Sequence, residues 1–600
     1  MADAPTEREE ERGWAKLRRR KVVQWGIAYA AAAWTLLQVL EYFGETYAWP
    51  RAIRQIAGLA FPLGWLFVLV LAWYHGDKGA QRVSRFELAI LATIVVLVGG
   101  TLWWYVSRID ESAWVADTAV PDTKHRPPAD AASIAVLPFA DMSPGKDQEY
   151  FADGIAEELL NLLAQIPQLR VISRSSAFSY KGKDAKLTDV AHDLNVAHIL
   201  EGSVRKAGNK VRITVQLIDA RSDTHVWAQT YERPMNDIFA VQDEIAAAVA
   251  EQMKLKLLGA PPKAQTTNPE AYTLAMQARF LGRQGTGEAL EQSVLLYQRA
   301  LAIDPDYAAA WVGLGRSYGS QVVYRKRPPV EGNRLAREAV GKALAIEPDI
   351  AEAYAVLGWI AMRQDLDLAA AANHLARGMA IDRSSPDVLR ASGALANALG
   401  RYDEAMAIAQ YALARDPVSP SSAFNLGLAY QRAGHMDEAI AAYRAAQRLS
   451  PAMERLHAEI GFSLLMKGET DAALAEMRLE PRAAYRLSGL AFAHHALGHH
   501  AQSDAALQQL IDEYGQDEML LIANVLAFRG EADHAFDWLE KTLERGDPNL
   551  YAIASSQLRD KLHNDPRWLP FLRKVGVAPE QLAAIKFDVA IAAPAEPSTG

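Results

Sequence analysis

The feature that most constrains this chain is a spacing. The stretch from Phe424 to Pro451, FNLGLAYQRAGHMDEAIAAYRAAQRLSP, sets small and large apolar residues at helical intervals around a turn signal at Ala433-Gly434-His435. Leu426, Gly427 and Tyr430 fall on one helix, Ala439, Tyr443 and Ala446 on a second, and Pro451 ends the unit. Small residues at Gly427, Ala439 and Ala446 let two antiparallel helices approach closely, while Tyr430 and Tyr443 fill the space that remains. One hairpin of this kind cannot bury its own apolar face, so copies must flank it. They do: Pro417 precedes Pro451 by 34 positions, and Asp382 precedes Asp416 by 34.

That order of residues resembles a tetratricopeptide (TPR) repeat, whose period is about 34 residues. Upstream, Trp311, Leu314, Gly315 and Tyr318 reproduce its first half, and ALAIDP and ALAIEP close two more units at Pro305 and Pro348. Those prolines are 43 apart, which places an insertion at Val322–Glu331. Degenerate copies continue through Gly461, Ala473 and Pro481, then Ala491 and Leu507, then Ala535 and Leu539. The expectation is an array of roughly seven to eight units over residues 268–547. A C-terminal cap and flexible tail, 548–600, follows and includes Asp565-Pro566-Arg567-Trp568.

The chain's 600 residues exceed what one core can serve, so several domains are expected. A net charge of −9 over that length argues against a general nucleic-acid binder. The absence of cysteine excludes disulfides, thiolate metal sites and cysteine nucleophiles.

Residues 22–40, 56–74 and 88–106 are apolar, each near the roughly 20 residues that cross a bilayer as a helix. The first carries Gln24 and Gln38, so lying at the interface is its alternative. The run Arg12–Lys21 holds six basic residues and no acidic one, and Lys78, Arg82 and Arg85 follow the second segment. Beyond the third the chain turns acidic at Asp110, Glu111 and Asp117. Positive flanks stay cytoplasmic. The expectation is a cytoplasmic N-terminus over residues 1–21, three crossings, a linker over 107–131, and the remainder outside, which in a bacterial inner membrane means the periplasm.

Residues 132–258 read as a two-layer α/β domain in the order βαβαβββα. Ser133–Phe139 and Arg170–Ser173 are strand-like, Tyr150–Gln165 and Leu187–Leu194 helical. His198–Arg205, Val211–Asp219 and His225–Tyr231 are strands joined by short turns, and a helix covers Ile238–Leu257. The segments SIAVLPFADMSPGKDQEYFADGIAEELLNLLAQIPQLRVISRSSAFSYKG and VAHILEGSVRKAGNKVRITVQLIDARSDTHVWAQTYER are similar to the FlgO-like (TolB N-terminal-like) domain. The resemblance implies a membrane-anchored bacterial TPR protein, related to accessory regions of adenylate cyclase and CadC-type proteins. It implies architecture and location rather than a reaction. With about twenty residues ahead of the first apolar segment, neither a cyclase nor a winged helix is expected here.

Candidate chemistry is sparse. Ser143-Pro144-Gly145-Lys146-Asp147 lacks the upstream glycine of a phosphate loop and reads as a plain loop. Gly282, Gly285 and Gly287 follow a helix and read as a turn. His495 and His499 have a spacing that can place two ligands on one helix face, but Leu497-Gly498 separates them and no third ligand is evident. Asp141, Asp153, Glu157 and Glu158 are read as helix-start and surface charge rather than an acid–base pair. Ser173-Arg174-Ser175-Ser176 follows a strand end, where backbone amides can meet an anion. No catalytic, cofactor or metal residues are assigned.

The TPR resemblance offers a better surface, because such arrays bind peptides on a concave face lined by the first helix of each unit. Position by position it points to Arg316, Trp359, Arg363, Arg390, Asn397, Asn425, Gln431, Arg432, Glu459, Phe462 and Phe492. That mixture suits a peptide with some acidic character. The expected function is a membrane-anchored, non-catalytic protein-interaction scaffold or signalling component. The alternatives are a receptor-like transducer that binds a ligand through the FlgO-like domain, and an enzyme with an unrecognised site in the α/β domain.

Overall fold

The structure, a computed structural model, describes residues 130–253 and 267–591 apart from Pro167, Asp184 and Ala590. The basic N-terminus, the three apolar segments and nearly all of the linker lie outside the described residues. Among the described residues no helix is long and apolar enough to cross a membrane.

Residues 133–252 form a mixed α/β domain. Its strands are β1 (Ser133–Val136), β2 (Ala140–Asp141), β3 (Arg170–Val171), β4 (His198–Ala207), β5 (Lys210–Asp219) and β6 (Thr224–Pro234). They lie in the order β3-β1-β4-β5-β6, with β2 also pairing β4. β1 is parallel to β3 and β4, and β4, β5 and β6 form an antiparallel meander. In β5, Val211, Ile213, Val215 and Leu217 are buried while Lys210 and Arg212 are exposed, as one dry and one wet face require.

Helices α1 (Glu149–Ala164) and α4 (Ile238–Gln252) cover the dry face. Between them in sequence lie α2 (Arg174–Phe178) and α3 (Leu187–Leu194). Here the two-layer expectation is corrected. Ala135, Leu137, Ile172 and Ile199 face the other way and pack with Val190, Ala191 and Leu194 of α3. The parallel strands have apolar residues on both faces, and such strands need cover on both. The domain therefore has a third layer at its parallel end. β2 and α2 are additions to the expected order, both too short to show a period in the sequence.

The array is eight helix pairs among the described residues. The first four are α5 (Pro269–Gly282) and α6 (Gly287–Ile303), α7 (Ala308–Val323) and α8 (Pro329–Ile346), α9 (Ala351–Ile360) and α10 (Leu368–Ile381), and α11 (Pro386–Ala398) and α12 (Tyr402–Arg415). The last four are α13 (Pro420–Ala433) and α14 (Met436–Leu449), α15 (Leu456–Met466) and α16 (Thr470–Arg478), α17 (Ala483–Ala496) and α18 (His500–Tyr514), and α19 (Met519–Arg529) and α20 (Ala532–Arg545). A Cβ at Gly427 would lie 2.6 Å from the Tyr443 ring, so only glycine permits that close crossing. Gly434, at φ 88°, caps α13 in the left-handed conformation. The inserted residues lengthen α7 and α8 and the loop between them.

The chain then returns along the array. Two 3₁₀ turns (Leu550–Ser555 and Gln557–Leu562) lead to α21 (Trp568–Val575) and α22 (Pro579–Ala583). Arg401 donates to the carbonyls of Ile585 at 2.5 Å and of Phe587. Phe587 is buried in the same core as the middle repeats.

Candidate functional site

The first helices of successive pairs pack on one another, and they carry all eleven residues singled out from the sequence, except that Arg363 sits just beyond α9. Their surroundings divide them into two groups.

At the N-terminal end, Arg316 of α7 meets the Asp387 carboxylate at 3.1 Å, and Arg390 reaches the same carboxylate at 3.3 Å. Asp387 lies in the first turn of α11, which Pro386 opens. Arg316, then Arg390, hold the Asp387 carboxyl below its usual range against burial. Arg390 lies 5.0 Å from the centre of the Trp359 ring, and Arg363 lies 5.8 Å from the same ring. A π-helical turn, Ala361–Asp365, carries Arg363. Arg363 makes no ion pair within 4 Å among the described residues, although its field acts on Asp547. The indole N–H of Trp359 and the Oδ1 of Asn397 are buried and have no hydrogen-bond partner among the described residues. Arg316 and Arg390 remain exposed, and Trp359 and Asn425 are half-buried. The result is a cation-rich, partly open surface with one donor and one acceptor left unspent beneath it.

At the C-terminal end the side chains are committed inwards. Gln431 donates to the Glu459 backbone carbonyl, to Glu459 Oε2 and to Ser463 Oγ, each at 3.2 Å. Glu459 is paired with Arg455 at 2.7 Å. Arg432 donates to the Ser555 carbonyl of the returning tail at 3.0 Å. Phe462, Phe492 and Phe528 form an edge-to-face ladder with centroids 5.1 Å apart at each step. Within the tail, Arg559 is buried without a carboxylate within 4 Å among the described residues. It donates to the carbonyls of Ile553 and Ala552 and to Asn524 Oδ1. Burial, with Arg432 nearby, pulls its guanidinium down to about 9.

The acidic residues of α1 have a use that charge patterning alone does not show. Glu157 is buried and meets Arg174 at 3.3 Å, Arg279 at 3.5 Å and Arg283 at 2.6 Å. Burial would raise its carboxyl, but Arg279 and Arg283, then Arg174, bring it down to about 2. Glu158 meets Arg279 at 2.8 Å. Asp153 binds Lys181 at 2.7 Å. Glu157 and Glu158 thus fasten the α/β domain to the first repeat.

A second fastening lies at Ser173–Ser176. The anion it meets is the chain's own Asp416, which accepts from Ser175 Oγ at 2.6 Å and from Ser176 Oγ. Ser173 N–H donates to the Arg415 carbonyl at 3.0 Å, and Val418 packs against the third-layer cluster. In the sequence Asp416 is only a repeat marker. Its role depends on a partner 240 positions away.

The remaining motifs are local. Asp141 accepts from the N–H groups of Ser143 and Gln148, both at 2.8 Å, and so closes the Ser143–Asp147 loop on itself. His494 and His499 approach at 3.5 Å between Nδ1 atoms, and His495 packs edge-on against His500. No group of three metal-ligating side chains occurs among the described residues.

Residues 130–248 match the family described as HilA/YgeH-like transcriptional regulator, second domain. Residues 420–452, which include the stretch of strongest repeat spacing, match the tetratricopeptide repeat. Over 216 residues the chain is 38% identical to "Putative adenylate cyclase 3" of Rhizobium meliloti (strain 1021). That stretch is 35% of this chain and 36% of the relative, so the chain spans about a third of the relative's length. Among solved structures, pilF of Pseudomonas aeruginosa aligns at 20% identity with a TM-score of 0.29, covering 37% of this chain and 96% of that one. A thermophilic TPR protein of Thermus thermophilus aligns at 22% identity with a TM-score of 0.26, covering 31% and 99%. The chain is a tetratricopeptide-repeat protein with a mixed α/β domain ahead of the repeats, homologous over part of its length to the Rhizobium protein.

Proposed function

We propose that this chain is a membrane-anchored, non-catalytic interaction scaffold whose N-terminal groove takes an acidic protein segment on the periplasmic side of a bacterial inner membrane. The observation that carries the reading is the pair Arg316 and Arg390 on the single carboxylate of Asp387, continued by Arg390 and Arg363 over the Trp359 ring, whose indole N–H is left unspent. Arg316 and Arg390 share Asp387 and Arg363 has no carboxylate within 4 Å among the described residues, so capacity for a further one remains. Guanidinium forks suit that partner. Anchoring and orientation are supported by the length of the apolar segments and the placement of Lys and Arg around them.

The α/β domain is the basis of a second reading, a transducer. Its resemblance to FlgO-like domains and its match to the second domain of a HilA/YgeH-like transcriptional regulator both belong to multi-domain contexts. Welding at Glu157 and at Asp416 would make domain and array move as one body, so occupancy of the groove would be felt along the chain. A cyclase activity is not carried over from the relative.

The test is a titration of the full chain with a labelled poly-glutamate peptide, with poly-lysine as control, followed by anisotropy. Binding of poly-glutamate that falls about tenfold in Arg363→Glu/Arg390→Glu, a change of about 1.4 kcal/mol, supports the reading. Equal binding of both peptides, or no loss in the variant, refutes it. Protease accessibility of residues 130–591 in intact spheroplasts tests the orientation.

A further inference from the structure

We propose that the tip of the α7–α8 hairpin, Val323 to Val330, rests on the lipid surface and orients the repeat array against the bilayer. The proposal builds on the membrane-anchored reading above.

The tip is where the array departs from its own period. Most other pairs turn in two to four residues between shorter helices, whereas α7 and α8 run 16 and 18 residues with Tyr324–Pro328 between them. The insertion is apolar where it has no need to be for folding. Val323, Tyr324 and Val330 are 64%, 54% and 73% exposed, and no other short segment of the described chain shows three large apolar side chains so open.

The backbone holds them out. Lys326 and Arg327 both donate from their N–H groups to the Gln321 carbonyl, at 2.7 and 3.2 Å, and Arg325 takes a left-handed conformation at φ 55° to permit it. A non-glycine residue in that region is held by its surroundings at some energetic cost. The Arg327 side chain bonds Gln321 and Glu331 and lies over Tyr318, and Arg325 reaches Glu518. The two valines are therefore displayed on a braced loop rather than left on a loose one, and the Tyr324 ring lies along the Gly285 turn with about half of its surface open.

A bilayer fits this tip better than a protein does. Eight residues at one hairpin tip, with Arg325 already spent on Asp517 and Glu518, offer far less than the roughly 800 Å² per partner of a stable protein interface. Two valines and a tyrosine beside Lys326, whose ammonium has no carboxylate partner among the described residues, match an interface of acyl chains, glycerol and anionic headgroups. The described chain begins at Asp130, about 24 residues beyond the last apolar segment, a length that reaches at most about 80 Å. Tethering at that range gives a weak contact a high effective concentration.

The chain has no cysteine, so single labels are clean. An environment-sensitive dye placed through Val330→Cys is compared with one at Leu479→Cys, a site 61% exposed elsewhere on the array. Full chain is reconstituted in vesicles of phosphatidylethanolamine and phosphatidylglycerol, and flotation is measured on the same samples. The expected result is a blue shift at Val330 with loss of most of its emission to a headgroup-proximal lipid nitroxide, and neither effect at Leu479. Protein that fails to float refutes the membrane reading and the proposal with it. Floating protein whose Val330 label stays as wet as the Leu479 label refutes the proposal alone. A shift at Val330 that rises with protein concentration and is not quenched by lipid assigns the tip to a second copy and also overturns it.

Discussion

The two ends of the surface lined by first helices carry similar residue types and different lives. At one end Arg316 and Arg390 share Asp387, and Arg390 and Arg363 share the Trp359 face. At the other, Gln431, Arg432 and Glu459 are spent on Ser463, Ser555 and Arg455. The difference is the returning tail and the phenylalanine ladder. Where the chain supplies its own partner, a groove position becomes structural. Where it does not, the position stays available. A position on a repeat says where a side chain lies and nothing about who meets it.

The comparison breaks most visibly at the ladder. Phe492→Ala should cost about 3–5 kcal/mol, because a fully buried aromatic leaves a cavity between three repeats. Trp359→Ala, half-buried at the open end, should cost markedly less. Hydrogen exchange on Leu456–Met466 and Met519–Arg529 would report the first, and similar losses in both variants would contradict the division. Exchange suits this protein better than a single unfolding midpoint, since repeat arrays open locally.

The junction comes next. Glu157→Gln leaves Arg174, Arg279 and Arg283 facing an uncharged amide and should cost about 3 kcal/mol. Loss of protection should appear in α1 and α5 together, and loss in α1 alone would mean that the two are not coupled. The same contact gives a pH dependence. The Glu157 carboxyl is lowered from 4.5 to about 2, so its contribution is fully present above its unfolded value. It is lost as pH falls through the folded one. The junction should hold near neutrality and loosen between about pH 4.5 and 2, followed by hydrogen exchange in α1 and α5. In Glu157→Gln that acid step should shrink.

How much of this was legible in the sequence follows from range. The repeats were legible because Gly427, Tyr443 and Pro451 act within one unit and recur. The strands β4 to β6 were legible because their apolar residues alternate. The third layer was not, because α3 shows only a short helix until Ile172 and Ile199 are seen to point towards it. Glu157 and Asp416 read as surface charge and repeat punctuation because their partners are far away in sequence. A pairing over such distances leaves no local pattern. The tail's occupation of the far end is a third case, since nothing in Ser555 or Phe587 announces Arg432 or Arg401.

Smaller effects sharpen the comparison further. Gln431→Ala should cost about 1 kcal/mol, the net worth of a buried hydrogen-bonded amide, and should leave peptide binding alone. Arg363→Glu should change stability by no more than about 0.5 kcal/mol, because Arg363 is half-buried but makes no ion pair within 4 Å among the described residues, and should weaken binding instead. A thermal shift for Arg363→Glu as large as that for Gln431→Ala would show that the open end is structural after all.

The most direct measurement sets the two ends side by side in one titration. Labelled poly-glutamate would be titrated into the full chain as wild type, as Arg363→Glu/Arg390→Glu, and as Gln431→Ala/Arg432→Ala. The account predicts a loss of about tenfold in the first variant and none in the second. Equal losses, or a loss confined to the second variant, would contradict it.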